Sequence, residues 1–355
     1  MAISAERRRD IKQALKEYRT PNHPLAALLL FGDLALFAGL FVALQWTTSW
    51  LVWTGLLALQ SIVVLRLSIL GHDAAHRSFT GSSTANNLIA IVGLGMSLHP
   101  VSLWQTGHNR LHHGFTSLAG VDVAWIPMSP EEYQRTSPLG RILYRLVRTP
   151  WGYGVHWTTH VWAKYLTFAG VGRVSGSQAR YRADCVVAIL INLTLVGLGV
   201  WLIASPLSVG VIAKVTMSIA IPILGQHYLI GCLTYFQHTH PDLGFYRRRQ
   251  DRAGFESQIT DTVSWALPKA LDTLIHWHMN HAAHHVDPSI PCYRLRAAQR
   301  RLQSLAPELC VVVKPRFKIF RSMMRTCKLY DYKNHSWQGF AQPHVGELSS
   351  SSSTS

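Results

Sequence analysis

The amino-acid sequence predicts an all-α integral membrane protein with four transmembrane helices arranged in two hairpins. Only 15% of its 355 residues are charged, whereas about a quarter of a soluble domain is charged. Four separate runs come close to the roughly 20 mostly apolar residues that a membrane-spanning helix needs. The long polar segments that follow each pair of runs contain most of the 19 histidines. These segments are predicted to form a cytosolic helical cap that carries a histidine-rich metal site.

Residues 1–24 form a charged N-terminal segment, which we expect to be a helix that begins after Ser4. Ile11, Leu15 and Tyr18 recur at helical spacing among basic residues. This pattern is compatible with a helix lying on the membrane surface and equally with an ordinary solvated helix. The segment is charged over too great a length to be a secretory signal.

The predicted hairpins occupy residues 25–70 and 185–233. The first contains the apolar spans Leu25–Trp46 and Leu51–Leu70, and the second contains Cys185–Ala204 and Val211–Leu233. Between them, Leu88–Leu98 is apolar but has only eleven residues. Because that length is too short to cross a bilayer, we expect residues 88–98 to form a re-entrant or interfacial segment.

Basic residues are distributed unevenly along the chain. The N-terminal tail carries six Lys and Arg residues and the segment 71–183 carries ten, whereas the turn after the first span of each pair carries none. The positive-inside rule therefore predicts that both termini and both polar regions, 71–184 and 234–345, are cytoplasmic. A bacterial inner membrane is the expected location, and residues 346–355 are a predicted disordered tail. The net charge of +16 follows this topology, so no nucleic acid partner is expected.

Three short segments repeat histidines at helical spacing: "HDAAH", "HNRLHH" and "HAAHH". Residues three or four apart share one face of a helix, so each segment can direct its imidazoles at one point. Eight imidazoles exceed what a single ion with four to six ligands can use, which predicts two metals. Imidazole suits zinc, copper, iron and nickel, and iron with open positions for dioxygen explains this excess better than a closed structural zinc site. The predicted ligands are His72, His76, His108, His112, His113, His281, His284 and His285.

The three histidine boxes, in this order around two hairpins, resemble those of the integral-membrane fatty acid desaturase superfamily. The similarity covers residues of about 25 to 300, and "TGHNRLHHGFTSLAGVDVAWIP", "TYFQHTHPDL" and "HAAHHVDPSIPCYRL" are similar to the methyl-end acyl-lipid branch. The resemblance implies a cytosolic cap holding two iron ions and dioxygen-dependent insertion of a double bond into an acyl chain. It also implies one further ligand after the fourth helix, which matches His238, with His240 as the second choice.

Two features depart from the methyl-end pattern. The second box has three residues between its histidines, where two are more common, and this longer spacing also occurs in front-end desaturases and membrane hydroxylases. The third box begins with His281 instead of the glutamine of front-end enzymes. The chain contains no HPGG haem motif, so electrons are expected from an external donor such as ferredoxin or a cytochrome. The expected substrate is an acyl-lipid, an acyl-CoA or an acyl-carrier conjugate, with membrane lipids as surroundings.

Ligand imidazoles need an acceptor for their second ring nitrogen. Candidate acceptors near the boxes are the carboxylates of Asp73, Asp122, Asp242, Asp261 and Asp287, each of which is also compatible with a capping or surface role. The acyl chain requires an apolar tunnel between hairpins and cap, for which the sequence offers Trp104, Trp125, Trp277 and, within the fourth span, His227. His156 and His160 are expected on an aromatic interfacial helix, and His276 and His278 are expected to pack beside the third box.

Two other functions are compatible with the same pattern. One is a membrane di-iron hydroxylase or ketolase acting on a lipid, carotenoid or alkane. The other, more distant, is a metal transporter, which would need polar residues aligned through the spans. Within the first hairpin, Asp33 and Arg66 either pair or leave Arg66 extended to the headgroups, because an isolated charge in hydrocarbon is unfavourable.

Overall fold

The computed structural model describes residues 3–173, 175–203 and 208–340. The predicted tail 346–355 and half of the predicted turn at 205–210 lie outside the described residues. The α-helices, in chain order, are α1 (Ala5–Leu15), α2 (His23–Trp46), α3 (Trp50–Ala75), α4 (Ser83–Gly95), α5 (Val101–Trp104), α6 (Pro130–Arg135), α7 (Pro138–Val147), α8 (Tyr153–His156), α9 (Ala163–Tyr165), α10 (Gln178–Ile203), α11 (Val209–His238), α12 (Ser257–Thr260), α13 (Lys269–Leu274), α14 (His281–Val286), α15 (Cys292–Leu305) and α16 (Phe317–Thr326).

Shorter elements connect these helices. Two segments have π-helical geometry, Gln105–His112 and Trp157–Trp162. Single turns of 3₁₀-helix occur at Lys16–Arg19, Pro150–Gly152, Phe168–Gly170, Arg249–Asp251 and Pro307–Leu309. The strands are β1 (Ser264–Trp265), β2 (Val312–Val313), β3 (Leu329–Asp331) and β4 (Ser336–Gln338).

Four helices, α2, α3, α10 and α11, are long and apolar enough to cross a membrane. They correspond to the four predicted spans, but all four continue beyond the predicted limits, α2 by the two residues before Leu25. Helix α3 extends five residues past Leu70, α11 extends five past Leu233, and α10 starts seven before Cys185. These extensions contain polar residues. A prediction based on apolar runs stops at such residues, although the helical backbone continues through them. The arrangement as two hairpins beneath a cytosolic cap stays a prediction.

Helix α3 lies at the centre of the protein, in contact with α2, α4 and α11. Its contact with α4 depends on two glycines. A methyl group on Gly71 would lie 2.8 Å from the backbone nitrogen of Leu94, and one on Gly93 would lie 2.5 Å from the carbonyl of Leu67. Helix α4 contains most of the predicted re-entrant segment, and its 13 residues extend about 20 Å at 1.5 Å per residue. Because of the glycine contact, α4 lies against α3, the span that carries the first histidine box.

The N-terminal helix packs its apolar face on another part of the protein. Ser4 caps α1 as predicted, because its hydroxyl accepts a hydrogen bond from the backbone of Arg7 at 3.1 Å. The apolar face of α1 buries Ile11 and Leu15 in a core that also contains Leu302 of α15. Ile11 and Leu15, two of the three apolar residues at helical spacing, are therefore covered by another helix, as in an ordinary amphipathic helix of a folded protein.

The all-α prediction is correct for most of the chain but overlooked two small sheets. Strands β1 and β2 pair in parallel through Ser264–Val312 and Trp265–Val313, and β3 and β4 pair antiparallel. Strands of two or three residues are too short to show an alternating pattern, so periodicity does not reveal them.

The first hairpin contains a buried ion pair. Arg66 donates from Nε to Asp33 Oδ1 at 2.8 Å, and Asp33 is 1% exposed. The pairing alternative is therefore correct. The sequence did not reveal a third member, His276, whose Nε2 lies 2.6 Å from Asp33 Oδ2. Arg66 also donates to the carbonyl of Leu274 at 2.8 Å. The pair thus connects α2 and α3 with the segment that precedes the third histidine box.

Candidate metal centre

Histidines from all three boxes converge at the C-terminal ends of α3 and α11. His72 lies in the last turn of α3 and His76 directly follows it, while His238 is the last residue of α11. The second box lies on the π-helical segment and its following residue, and the third box forms α14. Two groups result, in each of which the nearest ring nitrogens lie within 4.8 Å of one another. One group contains His72, His76, His108 and His284, and the other contains His112, His238, His281 and His285.

The ninth histidine, His113, lies between the two groups. Its ring centroid is 4.8 Å from that of His284 in one group and 4.3 Å from that of His285 in the other. Its Nε2 lies 3.1 Å from His108 Nε2. All eight box histidines and His238 are therefore brought together. His240 is not, because its Nδ1 lies 3.3 Å from Asp242 on the neighbouring loop.

The unusual spacing of the second box is accommodated by its π-helical backbone. The amide of His113 donates to the carbonyl of His108 at 3.0 Å, an i→i+5 hydrogen bond. Such a turn holds one residue more than an α-helical turn, and π-helical turns occur frequently at functional sites. The extra residue between the histidines is taken up by this wider turn, so His108, His112 and His113 still face the cluster.

The donor atoms have the spacing expected around metal ions. The Nε2 atoms of His72 and His108 lie 3.1 Å apart, and those of His238 and His281 lie 2.9 Å apart. An imidazole nitrogen binds a divalent metal such as zinc at about 2.1 Å, so two ligands at a right angle are about 3.0 Å apart. His72 Nδ1 faces a carboxylate oxygen of Asp73 at 3.0 Å, which places the proton on Nδ1 and leaves a lone pair on Nε2. Two imidazole nitrogens at this distance fit a cation that both of them bind.

Burial keeps these imidazoles in the form that binds metal. It lowers the pKa of His76, His113, His284 and His285 well below the ordinary value, and neighbouring histidines lower it further. Both ring nitrogens of His284 and Nε2 of His76 are buried without a hydrogen-bond partner among the described residues. Buried polar atoms are rarely left unpaired in native proteins, so these nitrogens fit a metal.

Two of the five predicted carboxylates orient histidine rings. Asp73 accepts from His72 Nδ1 and, through its other oxygen, from the backbone of Cys292 at 2.5 Å. Asp122 lies 2.8 Å from His112 Nδ1 and is held by the backbone amides of Ser117 and Ala124. Each contact occupies Nδ1 and leaves Nε2 of the ring free to face the cluster. In metal sites, the ring nitrogen that does not bind the metal usually has such an acceptor.

The other three carboxylates bond elsewhere, which corrects the prediction for them. Asp242 is largely exposed and contacts His240, and Asp287 forms a 2.6 Å ion pair with Arg19. Asp261 accepts from the Tyr246 hydroxyl at 3.4 Å, and burial raises its pKa to about 7. A carboxylate close to a box in sequence need not point toward the histidines, because the backbone turns between the box and the acidic residue.

Sequence reasoning missed Gln258, which contacts the cluster from α12. Its Oε1 lies 3.1 Å from His285 Nδ1, and its Nε2 donates to the carbonyl of His113 at 2.8 Å. Gln258 shares no spacing with the histidines it contacts, so no local pattern could have indicated it. His278 packs beside the third box as expected, with its ring centroid 5.8 Å from that of His281, and it also lies 5.1 Å from the ring of His72.

A cavity opens onto both histidine groups. It is bounded by His72 and His108 of one group, by His112, His238 and His281 of the other, and beyond them by mostly apolar and aromatic side chains. The predicted tunnel residues Trp104 and Trp125 line it, but Trp277 is not among its described lining residues. The apolar walls farther in are Ile69, Leu94, Trp157, Val161, Tyr165, Leu166 and Ile230.

Three further histidines lie in or beside this cavity. His99, for which the sequence showed no signal, lines it and accepts from the Trp157 indole at 3.3 Å. His227 is buried 5.3 Å from His99 between ring centroids, but it is not among the described lining residues. His156 lines the cavity and stacks on Trp125 at 3.8 Å, so its helix faces inward at this point.

Comparison with known proteins agrees with this geometry. The family model for fatty acid desaturase matches residues 48–317. The sn-1 oleoyl-lipid 12-desaturase of Picosynechococcus is 30% identical over 280 residues, which are 77% of this chain and 75% of that protein. The enzyme of the same name from Synechocystis is 28% identical over 292 residues, or 81% and 77% of the two chains. The chloroplastic omega-6 fatty acid desaturase of Spinacia oleracea is 27% identical over 283 residues, or 79% of this chain but 58% of that one. The chain therefore belongs to the fatty acid desaturase family of oxidoreductases.

Proposed function

We propose that this desaturase inserts a double bond into the acyl chain of a membrane lipid, on the methyl side of a double bond already present. The observation that carries the proposal is a mostly apolar cavity that is lined by histidines of both groups. The named specificities of the cyanobacterial relatives, which are oleoyl-lipid 12-desaturases, support the choice of substrate and position. They also favour a lipid-bound chain over an acyl-CoA or an acyl-carrier conjugate.

Two iron ions are the proposed cofactor, and dioxygen is the proposed co-substrate. Iron with open positions supplies the oxidising power that removes hydrogen from an unactivated methylene, which no side chain provides. Reduction of dioxygen to two waters takes four electrons, of which the substrate gives two. An external carrier, such as ferredoxin or a cytochrome, is proposed to give the other two. The proposed ligands are His72, His76, His108, His112, His113, His238, His281, His284 and His285.

The remaining residues of the site position and protect the reaction. Asp73 and Asp122 hold the rings of His72 and His112 by hydrogen bonds to Nδ1. Trp104 stacks on His108 with ring centroids 4.4 Å apart, which restricts that ring and excludes water from its face. The apolar cavity walls bind the acyl chain in an extended form, so one pair of methylenes lies at the histidine end.

We infer that the four spans lie in the inner membrane of a bacterium. Both termini, both polar regions and the histidine groups are then on its cytoplasmic side. The distribution of Lys and Arg supports this sidedness. Trp46 and Trp50 are exposed at the opposite end of α2 and α3 from His72, where an aromatic belt at the outer interface is expected.

The test is expression in a host that lacks polyunsaturated lipids, followed by mass analysis of its fatty acids. A product lighter than its substrate by two hydrogens, with the new double bond on the methyl side, is the expected result. A gain of one oxygen would instead identify the hydroxylase alternative. His72→Ala is the inactive control, and His335→Ala is the matched control because His335 lies outside the histidine groups.

A further inference from the structure

A shallow depression on the cap surface approaches the histidine groups to within one side chain. It is lined by Gly114, Arg249, Arg252, Phe255 and Gln258. Gln258 is partly exposed, and its inner end contacts His285 Nδ1 and the carbonyl of His113 at 3.1 and 2.8 Å. The depression is separate from the acyl cavity, because none of its described lining residues is shared with that cavity.

The rim of this depression is positively charged. Arg249 lies over the Phe115 ring at 5.2 Å, and Lys12 of α1 lies over Phe255 at 5.1 Å. Arg252 donates to the carbonyls of Gly114, which directly follows the second box, and Thr116, two residues further on. None of these three cations has an ion-pair partner among the described residues.

Two acidic side chains of the same segment are paired with other arginines. Glu256 bonds Arg8 at 2.8 Å, and Asp251 bonds Arg248 at 2.8 Å. Buried Asp261 and Asp122 act electrostatically on Arg252, so the positive charge of Arg249 and Lys12 is the part that is left to act on a partner in solution. Such an uncompensated cluster attracts molecules of opposite charge and raises their association rates.

The face around the depression is suited to a water-soluble partner. Among the described residues, no large apolar side chain is exposed within 105–135 or 236–268. By contrast, α7 exposes Leu139, Ile142 and Leu143, and the spans expose many more. A surface that contacts lipid combines basic residues with apolar ones, so basic residues alone favour a protein over a bilayer.

We propose that this depression is the docking site for a small acidic electron-carrier protein. The inference rests on the proposed function, in which CH2–CH2 plus dioxygen, two electrons and two protons becomes CH=CH plus two waters. The carrier is oxidised by one electron in each of two encounters. Electron transfer slows steeply with distance, and this is a place where a surface partner approaches His285 and His113 with only Gln258 between.

The test measures binding, separately from the product analysis that tests the proposed function. The full-length protein in lipid nanodiscs is titrated with an acidic plant-type [2Fe–2S] ferredoxin at low salt, for wild type, Arg249→Glu and Arg325→Glu. Both arginines are exposed, and Arg325 lies on α16, away from the depression. We expect Arg249→Glu to raise Kd at least about tenfold, because like charges across an interface are strongly unfavourable. Arg325→Glu should leave Kd within about twofold, and added salt should weaken wild-type binding.

Equal Kd values for the two variants, or no wild-type binding at low salt, would overturn the proposal. A second arm measures binding of the same proteins to anionic and to zwitterionic vesicles. If Arg249→Glu reduced only the binding to anionic vesicles, the depression would be a membrane contact and the proposal would be wrong. Failure of the proposed function is distinguishable, because it appears as absence of any unsaturated product while the ferredoxin affinities are unaffected.

Discussion

The buried ion pair of the first hairpin offers a quantitative test of the structure. Asp33→Asn keeps the shape of the side chain but leaves the charge of Arg66 without its partner. Removing one member of a buried pair costs about 3 to 5 kcal/mol of unfolding free energy. The lower end applies here, because Arg66 retains backbone carbonyls of Thr273 and Leu274 at 3.3 and 2.8 Å. We therefore expect Asp33→Asn to destabilise the protein by about 3 kcal/mol.

The double variant separates this account from simple loss of packing. Asp33→Asn made together with Arg66→Met removes both charges, and replacing a whole buried pair by apolar residues is often close to neutral. We expect the double variant to lose less stability than Asp33→Asn alone, with a coupling of about 2 kcal/mol. Asp10→Asn is the control, because Asp10 is exposed on α1.

The assay is chemical unfolding in detergent of the wild type, Asp33→Asn, Arg66→Met and the double variant. Unfolding free energies that add within about 0.5 kcal/mol would show that the two residues are independent. That result would refute the buried pair and leave Arg66 extended to the lipid headgroups.

The remaining predictions concern the metal centre and the membrane. Protein purified anaerobically should hold about two irons per chain, as nine imidazoles suit two ions with open positions; one iron, or zinc with full activity, would contradict this. Alanine at any box histidine should abolish product and lower iron content, while His335→Ala should do neither; two near-native variants would refute the assignment. The variants are His72, His76, His108, His112, His113, His281, His284 and His285 to Ala. A reporter fused after Ser355 or within 233–275 should be cytoplasmic and one in 205–210 external; the reverse pattern would overturn the sidedness.

Local chemistry along the chain was enough to predict the spans and the histidine groups. Span length and apolarity are properties of consecutive residues, so α2, α3, α10 and α11 appeared without any tertiary information. Within each box, three- and four-residue spacing places imidazoles on one face of a helix. His238, indicated only by resemblance, joins these histidines because α11 ends at the same place as α3.

Tertiary packing decided what surrounds those histidines. Gln258 meets His285 from 27 residues away in the chain, and His276 meets Asp33 from 243 residues away. The choice of Asp73 and Asp122 over three other nearby carboxylates depends on which way the backbone turns after each box. The burial of α1 against α15 depends on the fold of a segment almost 300 residues later. Spacing determines which side chains share a face, but only the folded chain determines what that face meets.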